Sequence, residues 1–248
     1  MKGMLFKPDM IKASDEGRKT VTRRLDGLKE INQEPEKWVW NEWQASQMWC
    51  RKFDTFWFDH TNLAHEPRRI EIKPRYRVGE IVYIKEAFIL ENTYEYHEES
   101  LAPKDRAYQR FGDDDFGDEH FFLIPHYKST EPDVLITDGE DEKGRIMTHW
   151  QSPLFMPAWA ARSFLKILSA RPKRLQEMND KEAILEGVTV IGSPELNELS
   201  GGKFIYAYRV LWDSINPKHP FSSNPWCWRY KFEKVTSAVL QEFKERPE

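Results

Sequence analysis

Between residues 225 and 235 large apolar side chains recur at every second position. Trp226, Trp228, Tyr230 and Phe232 alternate with Cys227, Arg229, Lys231 and Glu233. A period of two puts the four aromatics on one face of an extended strand. Other segments read as strands by their β-branched content. They are Thr20-Val21-Thr22, residues 81–90, and residues 163–172, the last stopped by Pro172. Met4-Leu5-Phe6 is a short apolar segment ahead of the first helix, and 121–124 and 133–136 are candidate short strands. Helix signals are equally local. Pro8 suits a first turn and Gly17 a left-handed stop, predicting a helix over 8–17. Asn179 as N-cap, acids in the first turn and Gly187 at the end predict another over 179–187. Tyr208, Leu211, Trp212 and Ile215 have helical spacing within 206–215. The expectation is an α+β fold, a small mixed β-barrel with flanking helices.

The chain has 248 residues, enough for one large domain with a real core. We expect a single domain over 1–248 carrying insertions at about 26–75 and 91–148. The first holds Trp38, Trp40, Trp43, Trp49, Phe53, Phe56, Trp57 and Phe58, and reads as a small meander packed on the main body. Those aromatics could stack bases, although core packing explains most of them equally well. The second insertion is polar and rich in loops. A net charge of −4 means that nucleic acid would be met by local basic clusters. Such clusters lie at residues 18–24, at Arg68, Arg69, Lys73 and Arg75, and at residues 171–174. Two cysteines suit a reducing compartment, and no apolar run of about 18 residues occurs, so a soluble, cytoplasmic protein without membrane contact is expected. The seven histidines include no i, i+4 pair. The acidic run at 113–119 lacks the glycine a calcium loop needs. No P-loop, dinucleotide fingerprint or Gly-x-Ser-x-Gly is present, so neither metal nor cofactor is expected.

The most pointed segment is Gly17-Arg18-Lys19-Thr20-Val21-Thr22-Arg23-Arg24. Strand alternation puts Thr20, Thr22 and Arg24 on one face, with Val21 and Arg23 on the other. Lys19, at the corner, can swing toward the Thr/Arg face. Hydroxyls flanked by fixed cations suit an anionic or carbonyl-bearing ligand; a solvated basic strand is the plain alternative. Arg18 and Arg23 are expected as outer-face charges. Glu186 ends the 179–187 helix, where an acid opposes the helix dipole, and that misplacement is a functional hint. Glu177 and Glu182 read as ordinary solvated acids.

The same segment, followed by Tyr76-Arg77-Val78-Gly79-Glu80-Ile81-Val82-Tyr83-Ile84-Lys85-Glu86, resembles the ASCH family, a PUA-like β-barrel. The longer pattern is similar to the large ASCH proteins of bacteriophages and prophages. It runs through Met156-Pro157-Ala158-Trp159-Ala160-Ala161-Arg162-Ser163, then Arg174-Leu175-Gln176 and residues 183–188. It ends with Leu211-Trp212-Asp213-Ser214-Ile215-Asn216 and Asn224-Pro225-Trp226-Cys227-Trp228. These segments cover about half the chain, in order, and both insertions fall outside them.

The resemblance implies a modified nucleoside, RNA or another single-stranded nucleic acid as partner. A small bacterial branch of the family deacetylates N4-acetylcytidine with a lysine, a threonine and a glutamate, which match Lys19, Thr22 and Glu186 here. On that reading Thr22 is the nucleophile or positions water, Lys19 takes its proton, and Glu186 protonates the leaving amine or holds Lys19. Thr20 and Arg24 would bind substrate, Arg24 at a phosphate or oxyanion, and Glu86 would meet a base edge or brace Arg24. The competing expectations are a binding module that recognises a modified nucleotide without changing it, and a ribonuclease acting through Lys19 and Glu186.

Overall fold

The computed structural model describes residues 1–40, 55–61, 68–93, 108–112, 119–133, 150–189 and 203–235. In chain order the strands are β1 (Lys2–Leu5), β2 (Val21–Arg24), β3 (Trp38–Trp40), β4 (Phe56–His60), β5 (Arg69–Ile72) and β6 (Ile81–Lys85). They continue with β7 (Phe88–Thr93), β8 (Tyr108–Gly112), β9 (Glu119–Tyr127), β10 (Phe164–Arg174) and β11 (Trp226–Lys234). The α-helices among the described residues are α1 (Pro8–Asp15), α2 (Asp180–Leu185) and α3 (Lys203–Ile215). The fold is α+β, and among the described residues no sheet closes into a barrel. No helix among them is long and apolar enough to cross a membrane. Trp43, Trp49, Phe53 and most of the strand expected at 133–136 lie outside the described residues.

The chain divides into two compact units, one of Met1–Lys12, Ile81–Leu165 and Val235–Glu248, the other of Ala13–Glu80 and Lys166–Lys234. In the first, β1 pairs in parallel with β6, and β7, β9 and β8 form an antiparallel sheet with β9 central. The single strand expected over 81–90 is broken at Glu86 and Ala87. Glu86 is only 1% exposed, and an isolated buried carboxylate is expensive. Arg162 relieves it with a two-point clamp, Nε to Oε1 at 2.8 Å and Nη2 to Oε2 at 2.9 Å, and Ser129 Oγ donates to the same group. The Arg162 guanidinium also lies 4.2 Å over the ring of Tyr127. The chain leaves one sheet to make these bonds and resumes at Phe88 against β9. Tyr83, Phe88, Tyr127, Met156 and Ala160 form the apolar core beside it.

In the second unit β11 lies between β10 and β2, and β3, β4 and β5 form the meander expected within 26–75. The alternation in β11 explains how these parts assemble. Its aromatic face meets β4 edge to face, Phe58 on Trp226 with centroids 5.1 Å apart and Phe56 on Trp228 at 5.0 Å. Tyr230 meets Tyr76 in the same way at 5.3 Å. Trp38 and Phe58 are buried, so these two insertion aromatics pack the core and are not a base-stacking platform. The other face of β11 carries Cys227, which is buried with Ala183 of α2 and with Tyr208 and Trp212 of α3. Each turn of strand therefore serves two layers.

Proline does not stop β10 at Pro172: the strand runs on to Arg174. Proline lacks only the N–H, so a strand tolerates it where that nitrogen is not needed in the ladder. The chain stays beside β11, with Cys227 Sγ facing the Lys173 carbonyl at 3.4 Å and Leu175 N–H donating to Pro225 O at 3.0 Å. At the start of β11 a side chain stands in for a strand. Asn32 Nδ2 donates to Trp226 O at 2.8 Å, and Trp226 N–H donates to Asn32 Oδ1 at 2.7 Å. Asn32 is buried, so no water replaces these bonds. Asn32→Ala should destabilise the protein by about 1–3 kcal/mol, read from the urea midpoint at unchanged slope. An unshifted midpoint would mean that the amide pairing holds nothing.

Candidate functional site

Four backbone bonds tie down the corner after α1. Gly17 takes a φ of 74° and turns the chain, with its N–H bonded to Ser14 O at 3.1 Å. Lys19 N–H donates to Ala13 O, Thr20 N–H to Leu185 O at the end of α2, and Phe232 N–H of β11 to Thr20 O, each at 2.9 Å. The Lys19 side chain is wholly buried. Its Nζ donates to Val21 O at 2.9 Å, to Glu186 O at 2.8 Å and to Glu186 Oε2 at 2.8 Å. An ammonium has three donors, and all three are used.

Helix α2 supplies the acids. The Asn179 side chain caps it by accepting from Glu182 N–H at 3.0 Å. Gly187 closes it at a φ of 81°, and a Cβ there would fall 2.7 Å from Ala13 Cβ and 2.8 Å from Lys19 Cβ. Only glycine both turns the chain and admits the lysine stem. Glu182 and Glu186 are four apart and so share a helix face, a repulsive arrangement unless cations lie opposite. β2 and β11 provide them. Arg23 and Arg229 are direct partners across the strands, which is itself unfavourable for like charges. Glu182 bridges the pair, accepting from Arg229 Nε at 2.7 Å, Arg229 Nη2 at 2.8 Å and Arg23 Nη2 at 2.7 Å. Glu186 Oε1 accepts from Arg23 Nη1 at 2.9 Å. The result is one chain of charges: Lys19, Glu186, Arg23, Glu182, Arg229.

Burial lowers the Lys19 pKa, with Glu186 pulling against it. Burial also works against the charge of Arg23, yet Glu186 and its neighbours hold that pKa above the ordinary arginine value. The Arg229 hydrogen bonds keep Glu182 below the usual carboxylate range. Burial pushes the Cys227 thiol up to about 12, so it is no nucleophile at neutral pH.

Of the residues singled out in the sequence, Lys19 and Glu186 meet directly, joined by Arg23. Arg23, expected as an outer-face charge, is 7% exposed, and Glu182, expected to be solvated, is the bridge between two arginines. Lys19 turns toward the face of Arg23, opposite to the expected Thr/Arg face. Thr22 pairs with Tyr230 and Arg24 with Trp228, on the aromatic face of the sheet. Thr20 contributes its backbone bonds to the corner. Glu86 belongs to the other unit, where Arg162 and Ser129 occupy its carboxylate in place of Arg24 or a base.

A pocket of about 180 Å³ opens beside Arg23 and Glu182, lined as well by Arg229, Lys173, Arg174 and Glu177. Four cations face two carboxylates there. Lys173 and Glu177 pair at 3.0 Å on the half-exposed rim. Arg174 donates to Pro35 O and lies 5.4 Å over the Trp226 ring. The Nε–H groups of Arg23 and Arg174 are buried without an acceptor, each at a cost of about 1–3 kcal/mol. The basic run at 171–174 was visible in the sequence as a cluster, but the opposition of Arg23 and Arg229 exists only in the β2–β11 register. Among the described residues no three His, Cys, Asp or Glu side chains group so as to hold a metal ion.

The acid limb of stability follows from Glu182. Its folded pKa lies below the unfolded one, so its stabilisation is present at neutral pH. It is lost as pH falls from the ordinary glutamate value of about 4.3 through the lower folded value. Glu182→Gln should therefore cost stability at pH 7 and much less near pH 3, measured by urea unfolding at both. A cost independent of pH would show that the bridge is not ionic.

Compared with family models, curated proteins and solved structures, the chain matches none of them.

Proposed function

We propose that the protein is a binding module for a phosphate-bearing ligand of the nucleotide class, a modified nucleotide or single-stranded nucleic acid, which it recognises without turnover. The observation that carries this reading is the pocket beside Arg23, where four cations face two carboxylates. Fixed guanidinium groups suit phosphate oxygens in both charge and shape. The resemblance of residues 17–24 and 76–86 to the ASCH family supports the same ligand class and, with it, a PUA-like relationship for the fold.

One observation favours hydrolysis of an N4-acylated cytidine: Lys19 Nζ and Glu186 Oε2 are 2.8 Å apart. Two weigh against it. A general base must reach the proton it takes, and Lys19 is wholly buried with every donor engaged. Thr22 belongs to the aromatic face, whereas the Lys19 ammonium shares the Glu186 carboxylate with Arg23. A ribonuclease using Lys19 and Glu186 meets the first obstacle as well.

Fluorescence anisotropy with a labelled single-stranded oligoribonucleotide, run alongside a chromatographic assay of N4-acetylcytidine, separates these readings. The binding reading expects affinity that falls with salt, a loss of about tenfold in Lys173→Glu, and no deacetylation. Deacetylation that disappears in Thr22→Ala would overturn it, and so would affinity indifferent to both salt and Lys173→Glu.

A further inference from the structure

The size and charge of the pocket say which part of such a ligand it takes. At about 180 Å³ it is smaller than the roughly 300–1,000 Å³ of sites that enclose a whole small molecule. A nucleoside does not fit inside it, but a single anionic group does. Its charge is uneven in a definite way. Lys19 and Glu186, behind Arg23, cancel each other, and the lining itself carries four cations against the two carboxylates of Glu182 and Glu177. A phosphodiester carries one negative charge, whereas a phosphomonoester carries about −1.5 to −2 at neutral pH.

We infer that the pocket is a subsite for a phosphomonoester dianion, the terminal phosphate of a nucleotide or of a nucleic-acid strand, and not for an internal phosphodiester. The inference rests on the binding reading above and adds the chemical group that is recognised. Three features support it. Glu182 holds Arg229 at two points and Arg23 at one, so the floor of the pocket is set before a ligand arrives. Lys173 stands on the rim with its side chain 44% exposed and one surface partner, free to close over an oxygen. The Nε–H of Arg174 is buried without an acceptor, a donor left unmatched among the lining guanidinium groups.

The test compares two oligoribonucleotides of one sequence, one with a 5′-phosphate and one with a 5′-hydroxyl, both labelled at the 3′ end and titrated with the full chain. The phosphorylated strand should bind at least about tenfold more tightly. Its advantage should shrink below pH 6 as the phosphate takes up its second proton, whose pKa is about 6. Lys173→Gln should reduce the advantage to about threefold or less. Arg229→Gln, checked for folding by its thermal melt, should act in the same direction. A nucleoside 5′-monophosphate that displaces the phosphorylated strand at a similar concentration assigns the site to the free nucleotide. One needing about a hundredfold more assigns it to the strand end, and either supports the dianion. Equal, salt-dependent binding of both strands would overturn the subsite and leave the binding reading standing. Failure of both strands and of the monophosphate to bind would overturn the binding reading itself.

Discussion

Glu186 is held between two cations that no water reaches. Lys19 meets one of its carboxylate oxygens and Arg23 the other, and the side chains of all three are almost completely buried. Removing charges from water costs several kcal/mol per ion, so a cluster of this kind persists only where nearly every donor and acceptor is matched. Here they are, save one Nε–H of Arg23. The match depends on backbone at two distant places: the corner after α1 and the C-terminal end of α2, joined by the bond from Thr20 N–H to Leu185 O. It also answers the objection that the helix dipole raises against an acid at that end. Lys19 donates to the Glu186 carbonyl as well as to its carboxylate, and so caps the helix with a cation.

From that clasp the order of the neighbouring charges follows. Arg23 is fixed by Glu186 and in turn fixes Glu182, and Glu182 orients Arg229. Lys173 and Arg174, at the end of β10, bring positive charge to the same place. The buried half of the network spends its charge internally, while the open half keeps a surplus. This division makes a recognition surface easier to justify than a catalytic one, because a reacting base needs an exposed lone pair and Lys19 offers none.

The sheet separates Arg23 from Thr22 and Arg24 by simple parity. In β2, residue 23 faces the helices and residues 22 and 24 face the aromatic meander. The alternation of Trp226, Trp228, Tyr230 and Phe232 announced that face in the sequence, and the Asn179 and Gly187 signals placed α2 within two residues of its observed ends. Glu186 also stood out, because an acid at a helix C-terminus has no local stabilisation. What could not be read were the consequences of register. Nothing local to Arg23 shows that Arg229 will lie opposite it, so an arginine with a buried carboxylate partner looked like a surface charge. The break at Glu86 was hidden for the same reason: its partner Arg162 comes from a distant segment. Pro172 misled because a strand tolerates proline wherever its missing N–H is not needed in the ladder.

The central claim is that Lys19 and Glu186 hold the corner and α2 together as one buried ion pair. A double-mutant cycle of Lys19→Met and Glu186→Gln, followed by urea unfolding at pH 7, measures it most directly. Each single change leaves buried charge unmatched and should cost about 3–5 kcal/mol. The double variant should cost clearly less than the two together, by about 1–3 kcal/mol. Additive costs would contradict the account, because they would mean that the two side chains stabilise the fold independently.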